Sequence, residues 1–566
     1  MRGWIKLALL LAYLASFHGY YAERVEALGL GVPLVLYLGL AALLTAGLLL
    51  SAWIRQAWLR WPLALAFAVG GLFFDAYLRI TDAYLTYSAF VSMVYAGGFV
   101  QEALEQYHYA ITLATASSVL VLLGVGLRPG PAPRLPQWLP IGAPLLALAL
   151  LIGMLFVRAG EGARGLPVMY TPLAYLSLFG YEALHDRVGP REPVKLAQSS
   201  APLARDIVLV IDESISGNYL DLNTPTGVPS HLLQTYPGVD IVNFGYAASA
   251  ANCSADTNVT LRFGGTREDY LRINSTQPSI WQYAKRAGMG TVYIDAQRTG
   301  GNLQNLMTDT EKQDIDRFIQ FDTTPVVDRD MAALQQLIGL LGDGKPQLIV
   351  INKLGAHFPV HDKYPDAFMA YQPALPRGRF QDVADTGSRE GFSGTAQDWV
   401  LYRNAYRNTL GWNVGEFFRR LFAQADLSQA VLIYTSDHGQ DLHERGNPGL
   451  NTHCDSDPVM EEGLVPLVVI QGQGVKALDW QAYLAQNRNA SSHYNLFPTL
   501  LKLMGYDASA VAGAYGQALD VPTHDPFTFN ARYNARLGGK PDFRHIDLSR
   551  IVVPPPHEAE EVNVAR

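Results

Sequence analysis

The chain has 566 residues, too many for one ordinary domain, and carries a net charge of −8 with 17% charged residues. No basic concentration or RNA-binding signature accompanies that balance, which argues against nucleic acid as a partner. Its two cysteines, Cys253 and Cys454, exclude a multi-cysteine zinc site and a disulfide-dense scaffold.

The first 157 residues are strongly apolar. Five segments approach membrane-spanning length: Trp4–Tyr20, Val32–Ile54, Pro62–Leu78, Tyr109–Leu127 and Trp138–Val157. The first contains Lys6 and His18 and competes with a signal peptide; without a small-residue cleavage site it reads as a retained anchor. Arg2, Lys6, Arg55, Arg60, Arg128 and Arg134 fall on alternate sides from Arg24 and Arg79. The arginine-richer side is expected in the cytoplasm together with the N-terminus. Five spans then place everything after Val157 outside the inner membrane, in a periplasm. The connection Arg79–His108 is aromatic and apolar, which suggests interfacial helices at the outer membrane face.

Residues 158–204 form a bridge. Tyr170–His185 reads as an amphipathic helix on the bilayer, and Pro190, Pro193 and the AQSSAP run mark a linker. From Asp206 onward strand-like runs alternate with helical patterns. The strands are DIVLVID (206–212), DIVNF (240–244), TVYIDA (291–296), PQLIVIN (346–352), AVLIYTS (430–436) and VPLVVI (465–470). Met331–Leu341 and Trp399–Phe422 are helical candidates. The alternation predicts an α/β domain with a doubly wound sheet over 205–522. A tail follows over 523–566, its last dozen residues expected to be disordered.

In open α/β sheets chemistry gathers beyond the carboxyl ends of strands. Here those ends are polar. The first is followed by Glu213-Ser214, the second by Asn252-Cys253-Ser254-Ala255-Asp256-Thr257, the fourth by Lys353-Leu354-Gly355-Ala356-His357, and the fifth by Asp437-His438. Glu213, Asp437 and His438 are ligand types suited to one divalent cation, with a coordination position left for a hydroxyl nucleophile. Each has a plainer reading: a helix cap for Glu213 or Thr257, a hydrogen-bonded strand cap for His438, a structural histidine for His357.

Taken in order, Glu213-Ser214, Cys253-x-x-x-Thr257, Gly355-Ala-His357, Ser436-Asp437-His438-Gly439 and His453 resemble the periplasmic phosphoethanolamine transferases. These are membrane-anchored members of the alkaline phosphatase–sulfatase superfamily. Tyr406-Arg407-Asn408-Thr409, the run Ser492–Leu501 and the five-span anchor also match, so the likeness covers about residues 1–510. The resemblance implies one zinc held by Glu213, Thr257, Asp437 and His438, with Thr257 as the nucleophile that becomes modified. His357 and His453 would bind the phosphate or a second zinc. It implies transfer of phosphoethanolamine from phosphatidylethanolamine to lipid A or another envelope glycan, by a chain acting as a monomer in the inner membrane.

The chain departs from the family pattern at Ser254 and Ala255. It also has Phe263 where the family has a second cysteine, and Ser216 in place of the arginine after Glu-Ser. Were Thr257 only a helix cap, Ser254 and Ser249 would be rival nucleophiles, and the loop before His453, longer than the family's, makes His443 a rival for its place; His493 reads as a helix-start residue. Cys253 and Cys454 would both flank the same pocket, which suggests a disulfide replacing the family's local bridge. A phosphoglycerol transferase using phosphatidylglycerol shares the same core residues. A sulfatase is disfavoured because Cys253 precedes Ser-Ala-Asp-Thr rather than x-Pro-x-Arg. A non-catalytic membrane-anchored binding protein is the third alternative.

Overall fold

The structure, a computed structural model, describes residues 2–81, 83–95, 104, 107–130, 136–185, 190–358, 360–376, 392, 394–447, 450–475, 478–534 and 537–556. The middle of the Arg79–His108 connection, Arg134 and the end of the expected disordered tail lie outside them. The chain folds into two compact units. One comprises residues 1–187 with 449–451 and 535–540; the other comprises 188–448, 452–534 and 541–566.

Four described helices in the first unit are long and apolar enough to cross a membrane: Val32–Ser51, Ala57–Thr81, His108–Gly126 and Trp138–Val157. The expected first span is shorter than Trp4–Tyr20. Its helix, Arg2–Ser16, stops at Phe17, and a polar helix, His18–Leu28, follows. Fifteen residues rise only about 22 Å, short of a ~30 Å hydrocarbon core. Lys6 is nonetheless buried. Its ammonium donates to the carbonyls of Val125 (2.9 Å) and Leu127, while Arg60 Nε donates to that of Gly126 (2.8 Å). The last carbonyls of a helix lack internal partners and carry its negative dipole end, so two cations close the terminus of His108–Gly126.

The bridge helix, Thr171–His185, packs its Ala174, Tyr175 and Leu178 into the core of this unit and leaves Leu176, Tyr181 and Leu184 exposed. Tyr87, on the short helix Tyr87–Tyr95 from the third-to-fourth connection, donates to Glu182 at 2.6 Å.

The second unit is built on an eight-stranded sheet in the order β4-β3-β5-β1-β6-β7-β2-β8. The strands are β1 Asp206–Asp212, β2 Val239–Ala248, β3 Gly290–Asp295, β4 Arg317–Ile319, β5 Gln347–Asn352, β6 Ala430–Ser436, β7 Leu464–Gly472 and β8 Ser491–Ser492. β1, β5 and β6 are wholly buried, as central strands covered by helices on both faces must be. The sheet is parallel except at β7, which runs antiparallel to β6 and β2. The chain after β6 returns through loop 437–463 without a crossover helix, so it re-enters the sheet in the opposite direction. The long helix predicted over Trp399–Phe422 runs from Ala396 to Gln424, with a wide π turn at Gly411–Glu416. A two-stranded ribbon, β9 Thr528–Asn530 with β10 Phe543–His545, follows the sheet.

Candidate active site

β1 and β6 are in parallel register, Asp212 opposite Ser436, so Glu213 and the Asp437-His438 pair leave adjacent strand ends side by side. Short hydrogen bonds then fix each side chain. The amides of Ser214 (2.9 Å) and His438 (2.7 Å) both donate to Asp437 Oδ1. Asp437 Oδ2 is buried and has no hydrogen-bond partner among the described residues. His438 Nδ1 donates to the Gly439 carbonyl at 2.6 Å, which turns Nε2 toward Glu213 Oε1, 3.4 Å away. Glu213 Oε1 accepts from Ser214 Oγ at 2.8 Å, and Oε2 accepts from Gln297 Nε2 at 3.1 Å. The loop after β5 crosses directly over Glu213. A Cβ on Gly355, whose φ is +54°, would stand 2.4 Å from the Glu213 carbonyl oxygen, so this position requires glycine.

Glu213, Asp437 and His438 each offer one ligand atom within 4.8 Å of the others, and all three residues are buried. Two carboxylates and an imidazole in such a place demand positive charge. Burial alone would raise the Glu213 carboxyl, but the hydrogen bond from His438 and the His438 charge hold it well below the usual range. Burial and the neighbouring Glu213 charge push Asp437 well above it. His438 is lowered by burial, yet the Asp437 and Glu213 charges carry it up to about 9. The group therefore holds a proton where a cation fits, and the bare Asp437 oxygen is one ready ligand.

Thr257 is not part of this group. Its hydroxyl, fully buried, bonds to the amide and the carbonyl of Ala251 at 3.2 Å each. The hydroxyl that reaches the centre belongs to Ser254, whose Oγ lies 3.1 Å from Glu213 Oε1 and 3.0 Å from His438 Nε2. The reason is where the helix begins. Cys253 is extended, with φ −133° and ψ 140°, and Ser254 opens the helix Ser254–Phe263. Thr257 lies almost a full turn further along, about 4.5 Å up the helix axis from Ser254.

The ring of His453 stacks on His438 with centroids 4.5 Å apart and lies 5.9 Å from His357. His443 instead stacks on Trp399 at 3.9 Å, and its Nδ1 bonds the Asn447 carbonyl. Burial lowers His357 to about 4 despite the Glu213 charge, so its ring is neutral. Its Nδ1 donates to the Phe358 carbonyl at 2.8 Å. His493 is buried between β6 and the Ala250 turn. It accepts from the Ala250 amide at 3.2 Å and bonds Thr435 Oγ1 at 3.0 Å, which is a positioning task. Cys253 and Cys454 are joined, with Cα atoms 4.9 Å apart, so one bridge ties the residue before Ser254 to the residue after His453.

Two supporting features escape motif reading. Gln297, two residues beyond β3, donates to Glu213 and also to the Lys353 carbonyl at 2.7 Å. Beneath Glu213, Lys353 Nζ is buried against Asp212 Oδ2 (2.8 Å) and Asp330 Oδ2 (3.8 Å). Asp330 accepts from the amides of Leu354 (2.7 Å) and Gly355 (3.0 Å), and so shapes the loop that leads to His357.

The sulfatase family model matches residues 205–506. The phosphoethanolamine transferase EptA of Escherichia coli K12 is 23% identical over 497 residues, covering 82% of this chain and 85% of that protein. The Kdo(2)-lipid A phosphoethanolamine 7''-transferase of the same organism is 23% identical over 272 residues, covering 46% of this chain and 45% of its own length. Among solved structures, the integral membrane lipooligosaccharide phosphoethanolamine transferase A of Neisseria meningitidis has the same fold. Its TM-score is 0.63 at 17% identity, over 91% of this chain and 97% of that one.

Proposed function

The chain belongs to the sulfatase family, and from that premise we propose that it is a membrane-anchored phosphoethanolamine transferase with Ser254 as its nucleophile. It takes the headgroup of phosphatidylethanolamine and passes it to lipid A or another envelope glycan. The carrying observation is the Ser254 hydroxyl seated between Glu213 and His438 at the ends of β1 and β6. Glu213, Asp437 and His438 would hold one zinc, which lowers the pKa of a nearby hydroxyl and offsets phosphoryl charge when bound.

Two in-line displacements follow from this arrangement. In the first, a bond forms between Ser254 Oγ and phosphorus as the bond from phosphorus to the glycerol oxygen breaks. Diacylglycerol leaves carrying the proton that Ser254 Oγ gives up. In the second, an acceptor hydroxyl oxygen attacks phosphorus from the side that diacylglycerol vacated as the bond from phosphorus to Ser254 Oγ breaks, and the acceptor's proton returns to Ser254 Oγ. His453, stacked on His438, and His357 beside it would line the equatorial oxygens, where most of the charge of phosphoryl transfer collects. The apolar helices tether the enzyme to the bilayer that holds its donor. With the arginine-rich ends inside, the catalytic unit faces the periplasm, where the enzyme works as a monomer.

Incubating the purified protein with phosphatidylethanolamine, followed by peptide mass spectrometry, tests this reading. A phosphoethanolamine adduct is expected on Ser254, lost in Ser254→Ala and kept in Thr257→Ala. An adduct on Thr257 would overturn the assignment of the nucleophile. A glycerophosphate adduct formed from phosphatidylglycerol would overturn the donor.

A further inference from the structure

Cys253, at the start of the helix Ser254–Phe263, caps it with no side-chain hydrogen bond, and its bridge to Cys454 fixes that end alone. Contacts along the helix also bear on how Ser254 Oγ meets Glu213 and His438. Residues 525–534, past the segment matched by the family model, come back to this helix and to the turn before it. Arg267 holds Asp525 through two bonds of 2.7 and 2.8 Å, and Ser492 Oγ donates to the same carboxylate at 2.6 Å. The Asn530 amide donates to the Ala250 carbonyl at 3.1 Å. The buried Tyr533 packs on Tyr270 with centroids 4.5 Å apart, and its hydroxyl bonds Thr260 Oγ1 at 2.6 Å. Asn534 Nδ2 donates to Asp256 Oδ1 at 2.7 Å. Thr260 and Asp256 lie on successive turns of the Ser254 helix, so two neighbouring residues of the late segment grip it along its length.

We propose that Tyr533 and Asn534 are positioning residues for the nucleophile. The late segment is the external seat that holds the Ser254 helix in line with the metal-binding group. The inference rests on Ser254 being the nucleophile. Neither Tyr533 nor Asn534 is among the metal-binding residues, which come from β1 and β6, so they act on alignment alone. A misalignment of about 1 Å at reacting atoms lowers a rate by roughly a hundredfold.

The test uses the full-length protein in mixed micelles of detergent and phosphatidylethanolamine, with diacylglycerol release as the rate. Tyr533→Phe keeps the ring and removes the hydroxyl, and Asn534→Leu removes the amide. In the double variant kcat is expected to fall roughly tenfold to a hundredfold with KM within about twofold. Zinc affinity, read by chelator competition, should stay unchanged, and Asn534→Gln should restore part of kcat. Unchanged kcat in a folded double variant would overturn the proposal. So would a parallel loss of Tm and zinc affinity, because that marks general support rather than aim. If Ser254→Ala is still active, the nucleophile reading itself has failed; if it is inactive while the double variant is normal, only the present inference has.

Discussion

Gln297 restrains Glu213, one of the three side chains proposed to hold a cation. Its amide nitrogen donates to Glu213 Oε2 and the Lys353 carbonyl, and its own backbone amide is held by Asp295 Oδ1 at 3.0 Å. With Oε2 so engaged, Glu213 turns Oε1 toward His438 and Ser254, where Ser214 Oγ also meets it. Gln297→Met keeps the volume and frees Oε2. We expect zinc affinity to fall roughly tenfold to a hundredfold, measured by competition with a chelator, as other residues that orient metal ligands do. An unchanged affinity would show that Glu213 needs no such restraint. At this scale the sequence is informative wherever a candidate ligand directly follows an apolar strand: Glu213, Asp437 and His438 each sit at such an end. The identity of the hydroxyl is less legible, because Cys253 gives no side-chain signal for where the helix starts, and a shift of three residues moves the candidate from Ser254 to Thr257. Gln297 follows a strand without belonging to any motif, and only its contact with Glu213 reveals it.

Among the elements, β1, β3, β5 and β6 are legible to within a residue or so, because buried parallel strands are continuous apolar runs. The reversed direction of β7 is not legible, since its residues look the same whichever way they run. Two-residue β8 and three-residue β4 carry too little pattern to be found. What joins β1, β5 and the π turn is the buried Lys353 ammonium. It bonds Asp212, lies 4.3 Å from the centroid of the Phe417 ring, and reaches the Asn413 carbonyl that the π turn presents. Burial raises the Asp212 carboxyl to about 6 even with Lys353 opposing it. Removing one member of such a buried pair leaves an uncompensated charge, so Lys353→Met should cost about 3–5 kcal/mol, read as a large drop in Tm. Adding Asp212→Asn to that variant should recover part of the loss. A single variant as stable as the parent would show that the network is dispensable.

For the molecule as a whole, the Glu213–Asp437–His438 group makes stability depend on pH in a way that would reveal a bound cation. In metal-free protein His438 stands at about 9 against an ordinary 6.5: burial lowers it, and the Asp437 and Glu213 charges more than reverse that. A raised imidazole contributes stability that is complete below about pH 6.5 and fades as pH rises through about 9. Chelator-treated full-length protein should therefore melt several degrees lower at pH 9 than at pH 6.5, while zinc-loaded protein holds its Tm across that window. Identical profiles with and without chelator would remove Glu213, Asp437 and His438 as the site of the cation. The Cys253–Cys454 bond bears on the same centre from another direction, since its halves are 201 residues apart. If the catalytic unit is exported from its N-terminal side, the stretch carrying Ser254 reaches the outside long before its partner loop does. The bridge can then close only after both halves have been exported. A host deficient in oxidative folding is expected to accumulate inserted protein with free thiols at Cys253 and Cys454, which thiol labelling would read.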